Sequence, residues 1–190
     1  MAGDRVLRAL LLLLVLLPAG AAAAAPEWRL DPAASRIVVV TTQMGSAVEG
    51  QFRRFEADIR FDPDDLGGSR VTVTIDTASL DTGNDQRDAA ARGPEWFDVA
   101  AHPTARFEAA SFRALGDGRY EAEGTLAIKG VARPVRLPFT LAIDGDSAGM
   151  AGGLTVARAE FGLGTGEWLT NGVVGDSVDI RVQVSARRGR

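Results

Sequence analysis

The sequence predicts an all-β protein, an eight-stranded antiparallel barrel closed around an apolar interior, with one short helix at about 85–92 between strands 3 and 4. Three observations carry this prediction. Apolar and polar residues alternate with a period of two, most plainly in Phe55, Ala57, Ile59, Phe61 against Glu56, Asp58, Arg60, Asp62, and in Val178, Ile180, Val182, Val184 against Ser177, Asp179, Arg181, Gln183. Successive strand side chains point to opposite faces, so each such stretch has one dry and one wet face. The stretches recur at short intervals separated by turn residues, and the inward set mixes large aromatics with alanine, glycine and valine, a lining that leaves room for a small apolar guest.

The strands follow in order. Ser35–Thr42 puts Ile37, Val39 and Thr41 on one side, and Gly45–Gly50 is expected to turn the chain. The second strand, Gln51–Asp62, carries Phe55, Ile59 and Phe61 inward and stops at Pro63; the third, Arg70–Asp76, carries Val71, Val73 and Ile75. Between Ser79 and Asp98 the alternation stops and polar helix formers take over, with Thr82, Asn84 or Asp85 available as N-cap and Gly93-Pro94 as the stop. A helix of two turns needs docking to persist, and Trp96 and Phe97 supply the anchor, placing it as a plug or lid at one end.

Strands resume at Thr104–Phe112, with Ala105, Phe107 and Ala109 inward, and Asp117-Gly118 makes a hairpin turn. Tyr120–Lys129 contributes Leu126 and Ile128, and Pro134–Asp144 contributes Val135, Leu137, Phe139, Leu141 and Ile143. Met150–Phe161 is a strand whose Gly152 and Gly153 mark a bend or a close ligand approach, and Ser177–Ala186 closes the barrel against the first strand.

Ahead of the barrel stands a separate segment. Arg5 and Arg8 precede the apolar run Ala9–Leu17, then Pro18 and an alanine tract: the pattern of a secretory signal peptide over 1–24, with cleavage near Ala24 and the barrel domain over 25–190. The apolar core is short for a membrane span; the alternative is an uncleaved anchor. The mature domain, about 165 residues, is long enough to bury a core. The chain carries a net charge of −4, near −5 without the leader, which argues against binding nucleic acid or an anionic membrane surface. There is no cysteine, hence no disulfide, thiolate metal site, lipid-modified cysteine or covalent haem. Export without cysteine points to the periplasm.

The inventory for catalysis is thin. His102, the only histidine, precedes Pro103 in a loop and reads as structural, and metal sites of the nitrogen and sulfur kind have no ligands. Gly162-x-Gly164-x-Gly166 lacks the strand-to-helix setting of a phosphate loop and reads as a bend leading to Trp168. The carboxylates Glu95, Asp98, Glu160 and Glu167 fall in loops or strand ends without a distinguishing spacing.

Several motifs are similar to those of the YceI-like proteins: Ser79-Leu80-Asp81-Thr82 with Arg87-Asp88, Glu95-Trp96-Phe97-Asp98 and His102-Pro103-Thr104-Ala105-Arg106-Phe107; Gly124-Thr125-Leu126-Ala127-Ile128-Lys129-Gly130-Val131 with Arg133-Pro134-Val135; and Arg158-Ala159-Glu160-Phe161-Gly162-Leu163-Gly164 with Trp168 and Val174-Gly175-Asp176-Ser177-Val178. The resemblance covers essentially the whole mature chain. It implies a lipocalin-like barrel that holds a long isoprenoid chain, a polyprenyl phosphate or the tail of a quinone, and many members are exported to the periplasm. Some occur beside membrane cytochromes, which makes a cytochrome or the quinone pool a candidate partner; monomer and homodimer both stay open. The chain departs from the family at Gln43-Met44-Gly45, where many members have a histidine before Met/Leu-Gly. Gln43 keeps hydrogen-bonding capacity without a titrating imidazole.

The expected function is therefore a periplasmic carrier or sequestering protein for an isoprenoid lipid, with no cofactor required beyond a bound polyprenyl lipid or quinone. By parity, the channel is lined by Ile37, Val39, Phe55, Ile59, Phe61, Val73, Ile75, Phe107, Leu126, Ile128, Phe139, Leu141 and Phe161, with Phe97 and Trp168 near a mouth. Gln43, Arg87 and Arg158 are the candidates for holding a polar head. The alternatives are an enzyme acting on a lipid or small apolar substrate through carboxylates at the mouth, and a filled barrel serving as an interaction module.

Overall fold

The computed structural model describes residues 24–170 and 172–189, and the expected leader lies, apart from Ala24, outside them. The strands form an antiparallel sheet that closes on itself, with one α-helix. They are β1 (Glu27–Leu30), β2 (Arg36–Gln43), β3 (Ser46–Phe52), β4 (Phe55–Arg60), β5 (Arg70–Asp76), β6 (Leu80–Asp81), β7 (Thr104–Gly116), β8 (Arg119–Ile128), β9 (Val131–Asp144), β10 (Ser147–Ala157) and β11 (Ser177–Arg188). The helix α1 spans Asp85–Arg92, between β6 and β7.

Six of the expected strands become β2, β5, β7, β8, β9 and β11 with small changes at their ends, and β11 pairs with β2 as anticipated (Ile180 opposite Val39, Val182 opposite Ile37). Three expectations change. Gly45–Gly50 is not a turn region: the turn is Met44-Gly45, with φ of 50° and 80°, and β3 begins at Ser46. The long second strand bends at Arg53-Arg54 into β3 and β4. The strand expected to reach Phe161 ends at Ala157, where a short 3-10 turn, Arg158–Phe161, takes Arg158 inward. Gly152 and Gly153 answer to neighbouring strands rather than to a ligand: a Cβ on Gly152 would lie 2.7 Å from the Cβ of Phe139 and one on Gly153 2.7 Å from the carbonyl of Ile180.

These bends give the wall two tiers. In the lower tier the ring runs β11–β1–β4–β5–β7, closing through the four residues of β1; in the upper tier β2, β3 and β6 continue from β11. Where the tiers meet, residues 29–36 face 53–58 with no strand pairing between them. Pro32, which has no N–H to offer, stands in this interruption beside a cleft of about 420 Å³.

Candidate functional site

The turns at 44–45 and 129–130, the segment 77–103 and the loop 158–176 gather at one end of the barrel, and the hairpins at 117–118 and 145–146 at the other. Between them runs a cavity of about 870 Å³. Its lining follows strand parity: along β11 alone, Val178, Ile180, Val182, Val184 and Ala186 all face it. Eight residue steps at about 3.4 Å make that row about 27 Å long, close to the hydrocarbon thickness of a bilayer. At about 30 Å³ per water-sized group, the volume corresponds to about thirty such groups.

Side chains that point inward are not all buried. Val39, Phe55, Ile59, Val73, Val156, Ile180 and Val182 are only half-buried although they face the lumen, because opposite walls do not meet. The wall is dense where it touches itself: Ile37, Phe52, Ile75, Leu80, Leu126, Ile128 and Phe161 form one buried cluster at the upper end. The lower end is floored by aromatics. Phe61 meets Phe112, Tyr120 and Phe139 edge-on at 5.3, 5.5 and 6.1 Å between centroids, and Trp28 Nε1 donates to the Phe61 carbonyl at 2.9 Å.

At the upper end the helix forms part of a cover. Asn84 is its N-cap, accepting from the Arg87 N–H at 2.9 Å, and Asp85 and Asp88 in the first turn favour the positive end of the helix dipole. Phe97 docks edge-on against Phe52 at 5.9 Å, and Trp96 against Trp168 at 5.6 Å. Gly162, Gly164 and Gly166, all with φ between 65° and 70°, wind the second loop over the barrel, as the bend reading expected. Glu95 fastens the two loops by accepting from Trp168 Nε1 at 2.6 Å, and Lys129 donates to the carbonyls of Pro94 and Gly162.

The opening lies between the β2–β3 turn and α1, where Gln43, Ser46, Val48, Asn84, Gln86 and Arg87 border the cavity. Arg87 Nη1 donates to Gln43 Oε1 at 2.9 Å, and its Nε donates to Thr82 Oγ1 at 2.9 Å. The Thr82 hydroxyl in turn donates to the buried Asp88 at 2.6 Å, so Asp88 steadies Arg87 through threonine rather than by a direct ion pair. A guanidinium has only donors, which fixes the Gln43 amide with its oxygen toward Arg87 and its NH₂ free to turn to the opening. The mouth therefore presents N–H donors and suits an acceptor oxygen.

Arg158 behaves differently. It is 4 % exposed, and its five N–H donors go to main-chain carbonyls: Gly175, Leu163, Gly164, Trp168 and Val174, at 2.8 to 3.1 Å, with the guanidinium over the Trp96 ring. Expected as a head-group candidate, it has no donor left for one; it pins the loop.

Each residue expected in the channel, from Ile37 and Val39 through Phe161, borders the cavity, as do Phe97 and Trp168. Sequence reasoning missed Trp28, Val48, Phe52, Leu80 and Met150 in the lining. Val48 was hidden by the misplaced turn and Phe52 by the break at Arg53-Arg54, which moves the inward positions from even numbers on β3 to odd ones on β4, and Met150 has the inward parity of Leu154. None of Glu95, Asp98, Glu160 or Glu167 borders the cavity. His102 packs near Gly130, and its carbonyl accepts from Thr77. Among the described residues no cluster of three or more histidine or acidic side chains could hold a metal ion, and no helix is long and apolar enough to cross a membrane.

A model of the YceI-like domain matches residues 28–186. UPF0312 proteins of Azotobacter vinelandii and Pseudomonas aeruginosa are 32% and 33% identical over 120 residues, 60% of this chain; the match spans 62% of the length of these relatives. Among solved structures, BcnA of Burkholderia cenocepacia superposes with a TM-score of 0.79 at 35% identity, covering 82% of this chain and 98% of BcnA. A Campylobacter jejuni YCEI protein does so at 0.66 and 25% identity, covering 75% and 86%. A polyisoprenoid binding domain from Saccharophagus degradans, implicated in plant cell wall breakdown, shares the fold at 0.71 with 17% identity, covering 86% and 99%.

Proposed function

The chain belongs to the family of YceI-like domains, and from that premise we propose that it is a periplasmic carrier or sequestering protein for a long isoprenoid lipid, a polyprenyl phosphate or a quinone. The observation that carries this reading is the hollow, apolar interior of about 870 Å³ ending in a polar mouth. Burying ten methylene-sized groups yields about 8 kcal/mol gross at about 0.8 each, and lost translational and rotational freedom takes back several, so tight binding needs a longer chain or a head contact. The lumen offers the first and the Arg87–Gln43 donors the second. Phosphate oxygens and quinone carbonyls are both acceptors. The polyisoprenoid binding named for the Saccharophagus domain agrees with this reading, as does the leader pattern with export.

The test is native mass spectrometry of the protein exported from its full-length chain in a bacterial host, with organic extraction of whatever travels with it. A stoichiometric prenyl lipid or quinone is expected. A lipid-free protein that also takes up neither polyprenyl phosphate nor ubiquinone from detergent would overturn the proposal.

A further inference from the structure

We propose that the rim beside the mouth, built on Met44 and Leu169, is a contact surface for a zwitterionic lipid bilayer, from which the barrel draws its ligand directly. This rests on the isoprenoid reading above. Met44 is 82% exposed and sits at φ 50°, the left-handed region, in a two-residue turn completed by Gly45 at φ 80°. Such turns favour asparagine or aspartate before glycine. Methionine there is unfavourable twice: its backbone is strained, and its apolar side chain stands in water. Strain of this kind collects at functional sites.

Leu169 is 55% exposed on the adjoining loop. The Met44 N–H donates to the Val173 carbonyl at 2.7 Å, and Arg158 Nη2 holds the carbonyls of both Trp168 and Val174, drawing the two ends of that loop together beside the turn. The two apolar side chains are thus presented on a fixed scaffold at the opening. Among the described residues, the other large exposed apolar ones, Leu115 and Ile143, are less exposed, at 42% and 37%, and belong to the hairpins of the opposite end.

Charge decides the kind of surface. Asp85, Glu167 and Asp176 are exposed around this end, and the chain carries −4, so an anionic bilayer would be repelled while a zwitterionic one admits the apolar pair. An isoprenoid passing from bilayer to lumen at such a contact never exposes its chain to water.

The experiment uses phosphatidylcholine vesicles, first free of ligand and then carrying ubiquinone or polyprenyl phosphate. The protein is expected to float with the ligand-free vesicles, and extraction should speed up with vesicle concentration. Met44→Asn, which suits the left-handed turn and so keeps the fold, and Leu169→Asn should each slow extraction about tenfold, the factor for losing burial of one such side chain. Met44→Leu should restore the rate, and Leu169→Asn should reach wild-type occupancy from detergent. Rates that ignore vesicle concentration, unchanged variants, or faster extraction when phosphatidylglycerol is added would overturn the proposal. Wild type that binds neither lipid from detergent would instead overturn the isoprenoid reading, and flotation on ligand-free vesicles reports on the rim independently of it.

Discussion

Arg87 and Arg158 both border the cavity, and what their N–H groups touch separates their roles. Arg158 satisfies five main-chain carbonyls, one of which, that of Gly175, also accepts from the Thr41 hydroxyl. Arg158→Met keeps the volume and abandons those carbonyls, so it should cost at least about 3 kcal/mol. For a domain of this size that lowers the melting temperature by about 10 °C, measured by calorimetry. Arg87→Leu should instead leave the barrel folded and weaken binding of a polar-headed prenyl lipid about tenfold, the worth of one hydrogen bond, while affinity for squalene holds. Titration by native mass spectrometry separates the two. Arg158 lies four residues beyond Leu154 and two beyond Val156, so strand parity by itself points it inward. Parity could not show the cage of carbonyls, because those belong to a loop whose path depends on the arginine itself.

At the scale of elements, the period-two pattern located most of the wall and the capping pattern located α1 at its bounds, since both are local signals. β1 escaped because four residues before Pro32 are too short to display a period, and β3 because glycines at 45 and 50 look like a turn. Gly50 is there for contact: a Cβ would come within 2.9 Å of Leu80, on the neighbouring β6. That β3–β6 edge has a titrating latch. Asp81 accepts from the Gly83 N–H and from Arg53, and these bonds hold its pKa below the usual 3.8. A lowered folded value means that its stabilisation is present above the unfolded pKa and is lost as pH falls through the folded one. An NMR titration should therefore place the Asp81 carboxyl midpoint below 3.8, and Arg53→Met should move it upward. Asn84→Ala, which removes the cap on the Arg87 N–H, should cost about 1 kcal/mol in urea unfolding.

For the whole molecule the decisive property is that the walls do not meet. Ile59→Trp or Leu141→Trp adds bulk where there is space rather than neighbours, so each should abolish ligand retention on extraction while far-ultraviolet circular dichroism keeps the β signature. That the lining is apolar was legible in the sequence, and its many small residues pointed to room; how much room was not legible, because parity gives direction and says nothing of distance across a barrel. The unpaired meeting of residues 29–36 with 53–58 has its own consequence. In mechanical terms it is a seam on one side of a wall that β5 and β7 to β11 carry unbroken from end to end, the place where the barrel can widen without parting a ladder.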